Sequence, residues 1–335
     1  MKHNTKLCWS LLTLLFILLL SACSTTDTAD PNPTLAPTEV AVEIEPTAEP
    51  TPEPVDTTIT LTDGLGNEIT LDSPVQKIIS LAPSNTEILF AIGAGEQVVG
   101  RDSVSDYPEA ALQIADIGGG FGELDMETII AMEPDLVLTA DITPPEQVEA
   151  LTDVGLTVFA IANPVELAGM YENLRLVAQL TGHEAETETM IADLKTRVAA
   201  VSDQIATVEE KPLVFYELDG TDPNAPWTSG PGTFVDTLIS MAGGQNLGAS
   251  LDGAWVQVSV EELITQDPDI ILLGDFLWGG VTPEVVAARE NWDTLSAVQS
   301  NQVYTFDDSL ASRPGPRLVD GLEVMAHQFY PDLFD

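Results

Sequence analysis

Residues 126–139 read METIIAMEPDLVLT, and residues 260–273 read VEELITQDPDIILL. With an offset of 134 positions (260 − 126) the two stretches share one grammar: an apolar residue, Glu, a spacer, two apolar residues, three spacers, Pro-Asp and an apolar run. Asp125 and Ser259 precede them as good helix N-caps, and Ser259 with Glu262 fits a capping box. Pro134 and Pro268 push the preceding residue away from right-handed helical backbone, so each short helix ends there and a buried strand follows. A second echo supports duplication. Gly95-Glu-Gln-Val-Val-Gly100 and Gly243-Gly-Gln-Asn-Leu-Gly248 both follow an apolar helical run.

Outward from this repeat, short apolar runs alternate with helical patterns. The expected strands are 77–81, 97–100, 135–139, 157–161, 213–216, 269–273 and 303–306. Unbroken apolar runs bounded by turns are how parallel strands, buried on both faces, read. A hairpin is expected first, with Ile59-Thr-Leu61 and Ile69-Thr-Leu71 alternating around Asp63-Gly64 and Gly66-Asn67. One segment differs. From His183 to Val208 there is no Pro or Gly, and Met190, Ile191, Leu194, Val198, Val201, Ile205 and Val208 recur by threes and fours. That spacing predicts one amphipathic helix of roughly 25 residues, ~38 Å long. It lies between the two copies, so the expected architecture is two similar α/β lobes joined by one stiff helix.

The N-terminus lies outside this pattern. Lys2 and Lys6 precede an apolar run, Leu11–Leu20, too short for a comfortable membrane span. Leu20-Ser21-Ala22-Cys23 resembles a bacterial lipobox, which implies cleavage before Cys23 and lipidation of that residue. Residues 24–57 are rich in Thr, Pro, Glu and Ala, cannot bury a core, and are expected to form an extended tether. The expected organisation is a signal peptide at 1–22, a lipidated Cys and tether at 23–57, an N-terminal lobe at 58–181, a spine helix at 182–210 and a C-terminal lobe at 211–335.

Composition narrows the function. Of the 335 residues 54 are acidic and 11 basic, a net charge of −43. Such a chain repels nucleic acid and offers no basic patch for phosphates. The two cysteines, Cys8 and Cys23, fall in the leader and at the lipidation site, so the mature lobes hold no thiol or disulfide. Three His, one of them in the leader, exclude a three-His zinc site, and no HExxH, GxSxG elbow or Walker lysine is present. Gly93-Ala-Gly95 starts like a dinucleotide fingerprint, but position 98 is Val. Neither enzyme activity, nor a cofactor, nor a bound metal is expected.

Lys77–Gly100 (KIISLAPSNTEILFAIGAGEQVVG), Ser105-Asp-Tyr-Pro108, the Pro-Asp phrase, Trp255-Val-Gln-Val-Ser259 and Ser312-Arg-Pro-Gly-Pro-Arg317 resemble the substrate-binding proteins of iron-siderophore, haem and vitamin B12 ABC importers, the cobalamin-binding branch above all. The resemblance covers about residues 58–335. It implies two Rossmann-like lobes bridged by a single long α-helix (the class III periplasmic binding protein type), with ligand in the cleft between them. It implies that Glu127 and Glu261, one on each lobe, dock onto an ABC permease dimer with its ATPase. It also implies a cleft lined by aromatics. Phe121 stands where the family has Trp, Trp227 where it has Phe, and Trp255 matches Trp, whereas Val104 and Ala140 replace two further aromatics. Arg313 matches an Arg, and Ser309 replaces an acid.

The settings of these residues point the same way. Trp227 and Trp255 sit in loops rich in Gly, Pro and Asp rather than in periodic apolar runs, and Phe121 sits in GGGFGE. Trp278, in Gly274-Asp-Phe-Leu-Trp-Gly-Gly280 after a strand, is a further candidate, while Trp292 is expected to pack. Arg313 could hold a ligand carboxylate or amide, or pair with an acid. The expected function is capture of a large cobalamin-like ligand by a lipoprotein tethered outside the cytoplasm. A ferric siderophore or haem on the same scaffold is the alternative, and a tethered receptor without a transport role is another. The scarcity of Arg weakens the case for an anionic siderophore.

Overall fold

The computed structural model describes residues 58–334; the leader, Cys23 and the tether lie outside them. The expected hairpin is formed by β1 (Ile59–Thr62) and β2 (Glu68–Leu71), antiparallel with Ile59 opposite Leu71 and Leu61 opposite Ile69. Asp63 closes its turn by accepting the amides of Leu65 and Asn67 on one carboxylate oxygen.

The first lobe then runs β3 (Ile78–Ser80), α1 (Pro83–Ala91), β4 (Val98–Arg101), β5 (Ala115–Asp116), α2 (Met126–Met132), β6 (Leu136–Ala140), α3 (Pro145–Asp153), β7 (Val158–Ile161) and α4 (Leu167–Thr181). Its sheet is parallel, in the order β5-β4-β3-β6-β7. The strands bury both faces, as their unbroken apolar runs require: Ile78, Ile79, Leu136, Val137 and Leu138 are wholly inaccessible.

Helix α5 (Glu184–Ile205) follows, 22 residues and roughly 33 Å long. It ends three residues short of the expected Val208. Backbone bonds from Thr207 to Gln204 and from Val208 to Ile205 close a tighter terminal turn. Two ion-pair clusters show that it bridges the lobes. Arg175 of α4 grips Glu188 of α5 with Nε at 2.6 Å, and Arg197 of α5 grips Glu323 and Asp320 further along the chain.

The second lobe runs β8 (Leu213–Glu217), β9 (Trp227–Ser229), α6 (Phe234–Met241), β10 (Gln245–Asn246), β11 (Trp255–Gln257), α7 (Val260–Gln266), β12 (Ile270–Leu273), α8 (Phe276–Gly279), α9 (Pro283–Ala287), α10 (Ser296–Gln299), β13 (Val303–Thr305), α11 (Ser309–Ser312), α12 (Leu318–Phe329) and α13 (Pro331–Phe334). Its parallel sheet has the order β10-β8-β12-β13. Both sheets wind alike: the first strand is internal, the next strands of the sheet (β4 and β5, or β10) lie to one side of it, and the chain then crosses to the other side. Each lobe therefore has a topological switch point where a crevice opens at the C-terminal ends of its strands.

Three apolar cores hold this frame. One unites the spine-facing sides of both lobes with Ile191, Leu194 and Val201 of α5. The other two lie on the far face of each sheet. Trp292 fills the core of the second lobe, as expected. It is fully buried, packs edge-on against Phe215 with ring centroids 6.3 Å apart, and donates its indole N–H to Pro223 O.

Candidate functional site

The loops that leave β3, β4, β5, β6 and β7 on one lobe, and β12 and β13 on the other, face a common cleft. It holds two adjoining pockets of about 370 Å³ and 850 Å³ that share Val104, Phe121, Ser312 and Arg313. The smaller is lined by Pro83 and Ser84, by Ala140–Ile142 and Ile161–Asn163, and by Ser312–Pro314 of the second lobe. The larger takes Ser103 and Asp106 from the first lobe, and Gly274, Leu277, Trp278 and Asp307–Ser309 from the second.

Phe121 reaches both pockets from a loop built for that purpose. Gly118, Gly119 and Gly120 all have positive φ, and a Cβ at Gly118 would stand 2.2 Å from Glu123 O. Gly119 N donates to Glu123 O and Gly122 N to Gly119 O, so the loop closes on itself and leaves Phe121 100% exposed. A fully exposed phenyl ring at the mouth of a cleft has its apolar surface available to a ligand. Trp278, on α8, is 60% exposed and lines the larger pocket.

Trp227 and Trp255 are placed elsewhere. They stand on the antiparallel β9–β11 ribbon, where Trp227 faces Gln257 and Trp255 faces Ser229 across the strands. This puts both indoles on one face, 40% and 49% exposed, as diagonal neighbours. The ribbon leaves the C-terminal end of β8, where Trp227 exchanges backbone bonds with Leu218 and Asp219. Neither indole lines either of the two pockets. The ribbon is missed in the sequence because its strands are three residues each, too short for a period to register.

Arg313 lines both pockets, but its guanidinium is engaged. It donates to Glu87 Oε1 at 3.0 Å and to Asp106 Oδ1 at 2.6 Å. Arg317 donates to both oxygens of the same Glu87, and its guanidinium lies 3.9 Å from the Tyr107 ring centroid. Glu87 is 2% exposed on α1, between the buried polar Ser84, Asn85 and Thr86 and the buried apolar Ile88 and Leu89. An ionised carboxylate there needs a cation, and the second lobe supplies two. Burial works against the charge on Arg313, but the bonds to Asp106 and Glu87 more than offset it and its pKa is raised. Glu87 and Asp106 are the residues that reading the sequence missed; the visible signal was a lone acid within the apolar run TEILF.

Two further networks shape the walls. Asp102 is buried, and burial raises its pKa although the Ser105 hydroxyl and Val104 amide pull it back. It thereby orders the loop that presents Val104 and Asp106. Beneath α8, Arg289 holds Glu217 in a bidentate pair, and Asp275 accepts the Gly220 amide at 2.8 Å. Burial pushes Glu217 up to about 7 despite Arg289, and raises Asp275 as well.

Glu127 and Glu261 sit in the first turns of α2 and α7 as equivalent exposed carboxylates, one per lobe. Among the described residues no three or more His, Cys, Asp or Glu gather as a metal site.

Two parallel-sheet lobes joined by one helix, with a cleft between their strand ends, are the architecture of a bilobal solute-binding protein. The sequence profile of the periplasmic binding protein family matches residues 78–310, and the chain belongs to that family. It is 30% identical over 281 residues to an uncharacterised ABC transporter substrate-binding lipoprotein of Bacillus subtilis, covering 82% of this chain and 87% of that one. A cobalamin-binding protein of Halobacterium salinarum is 29% identical over 280 residues, covering 81% and 74%. Among solved structures, the periplasmic haem-binding protein of Roseiflexus sp. RS-1 aligns with a TM-score of 0.67 at 29% identity, covering 78% of this chain and 99% of that one. The protein is thus a substrate-binding component of the ABC-importer type.

Proposed function

We propose that this protein captures a large ligand of the cobalamin or corrinoid class between its lobes and delivers it to an ABC permease. The observation that carries the reading is the cleft itself: two adjoining pockets, with an exposed Phe121 lining both and an exposed Trp278 lining the larger. A flat macrocycle buries such rings at ~25 cal/mol per Å² of apolar surface, so about 100 Å² on one ring contributes roughly 2–3 kcal/mol. The likeness to a cobalamin-binding protein supports the same choice. Haem on the same scaffold is the second reading, supported by the likeness to a haem-binding structure.

Release is proposed to follow docking of Glu127 and Glu261 onto the two halves of the permease, whose two-fold symmetry asks for equivalent acids on both lobes. No helix among the described residues is long and apolar enough to cross a membrane. The proposed anchor is a lipid on Cys23, with 24–57 as tether, which holds the lobes at the outer face of the membrane.

Phe121→Ala is the test. The ring is fully exposed, so its removal leaves no cavity. Cobalamin affinity, read by tryptophan quenching, is expected to fall at least tenfold with an unchanged melting temperature. Unaltered affinity, or haem binding that outcompetes cobalamin, sinks the corrinoid reading.

A further inference from the structure

Every arginine among the described residues already has a carboxylate: Arg101 pairs with Asp116, Arg175 with Glu188, Arg197 with Glu323, Arg289 with Glu217, and Arg313 and Arg317 with Glu87. Arg313 is the one cationic side chain that lines the cleft; no lysine or histidine does. Facing it are four acids, Asp106, Asp141, Asp307 and Asp308. Asp106 is bonded to Arg313, Asp307 stands 4.0 Å from Arg317, and Asp308 accepts the Tyr216 hydroxyl at 2.6 Å. The clasp of Glu87, Asp106 and Asp307 with two guanidiniums is itself one charge negative, and Asp141 and Asp308 add to it. A cleft walled by low-dielectric protein focuses such a field on whatever enters.

We propose that the cleft selects its ligand by charge: it accepts cationic macrocycles, or neutral ones carrying N–H donors, and rejects those with peripheral anionic groups such as carboxylates, and Asp106 sets this choice by neutralising Arg313. The inference rests on the cleft being the ligand site, and it deepens the corrinoid reading. Carboxylate oxygens on the wall offer acceptors to primary amides or to a cation. A carboxylate on the ligand meets the same oxygens with no proton to share and no free guanidinium to turn to. Asp106 is exposed and contributes one of the two bonds to Arg313 Nη1, so its loss leaves that guanidinium held by Glu87 alone.

Two matched pairs of probes separate charge from ring type. Aquacyanocobinamide and aquacyanocobyrinic acid share a corrin ring but carry amides and carboxylates respectively. A tetra(N-methylpyridinium) porphyrin and a tetrasulfonated porphyrin share a different ring and are oppositely charged. Tryptophan quenching at low salt is expected to show at least tenfold tighter binding of cobinamide than of cobyrinic acid, shrinking as salt is raised. Asp106→Asn, checked for an unchanged melting temperature, is expected to narrow the ratio at least threefold, chiefly by tightening the acid. Equal or tighter binding of the anionic member of either pair overturns the inference, as does an Asp106→Asn ratio equal to wild type. If neither corrinoid binds but the cationic porphyrin is preferred, the charge rule stands and the corrinoid reading falls. A protein that binds none of the four refutes both.

Discussion

At residues 125–139 and 259–273 the chain builds one joint twice, and the two copies differ in how tightly each end is tied. Asp125 caps α2 through the Thr128 amide, and Ser259 caps α7 through the Glu262 amide at 3.1 Å. The capping box is only half made, since Glu262 turns to Gln266 instead. Each helix ends in a left-handed residue that is not glycine, Glu133 and Asp267, both at φ 48°. Each then passes a proline into an aspartate that pins the new strand to the central one. Asp135 Oδ2 accepts the amides of Gln76 and Lys77 at 2.8 Å, and Asp269 Oδ2 accepts that of Leu213 at 2.7 Å. The phrase is therefore a structural device that starts a strand in register. The first-turn glutamates, Glu127 and Glu261, have exposed side chains and take no part in these bonds. A carboxylate there gains only ~0.3–1 kcal/mol from the helix dipole, and both helices are already capped. Equivalence without local need is what a two-fold partner would ask for.

The largest effect should come from those glutamates. Glu127→Ala with Glu261→Ala is expected to lower ligand uptake in cells at least a hundredfold while purified protein binds ligand within twofold of wild type. Each single substitution should fall between, by similar amounts. If one alone abolishes uptake and the other does nothing, the two copies are not equivalent at the permease; if affinity collapses, docking is the wrong role.

The strand-pinning aspartates should give the next largest effect. Asp135→Ala removes two carboxylate-to-amide bonds and Asp269→Ala one, so at about 1 kcal/mol for each exposed bond the expected losses are about 2 and about 1 kcal/mol. For a unit of this size that is about 4–8 °C and about 2–4 °C in melting temperature. Equal losses would mean that Gln76 and Lys77 share a single effective bond.

The joint also shows what the sequence exposes and what it hides. The two α/β lobes, the bridging helix and seven of the parallel-sheet strands announce themselves through apolar runs and Pro-Asp punctuation, because burial on both faces leaves no freedom in residue type. Strands β5 and β10 are two residues long, and β9 and β11 three. They exist because neighbours pair with them, and nothing in their own composition requires a strand. The cleft divides likewise. Phe121 and Trp278 are legible because a large apolar side chain amid glycines has no core to enter, but the same argument pointed to Trp227 and Trp255, which line neither pocket. Arg313 is legible as a cation near the cleft that could pair with an acid, but its partners are not, since Glu87 and Asp106 lie 226 and 207 positions away in sequence. Long-range pairing of charges is the part that only the fold assembles.

The smallest difference separates the two left-handed caps. Asp267 Oδ1 accepts the Ser296 amide and Oδ2 its hydroxyl, both at 2.7 Å, which ties α7 to α10. These bonds, the amide first, hold the Asp267 carboxyl below the usual range. A depressed folded pKa stabilises above the unfolded value near 3.9, and that stability disappears as pH falls through the folded pKa. Asp267→Asn should therefore cost a few tenths of a kcal/mol at pH 6, after allowance for solvent screening, and less as pH falls through the folded pKa. Glu133→Gly should leave stability nearly unchanged at high and low pH alike, because relief of the left-handed backbone offsets the extra entropy of glycine in the unfolded chain. Urea midpoints at pH 6 and pH 2 make the comparison. A loss for Glu133→Gly equal to that for Asp267→Asn, or an Asp267→Asn loss no smaller at pH 2 than at pH 6, would mean that the two caps are tied alike and that charge plays no part in either.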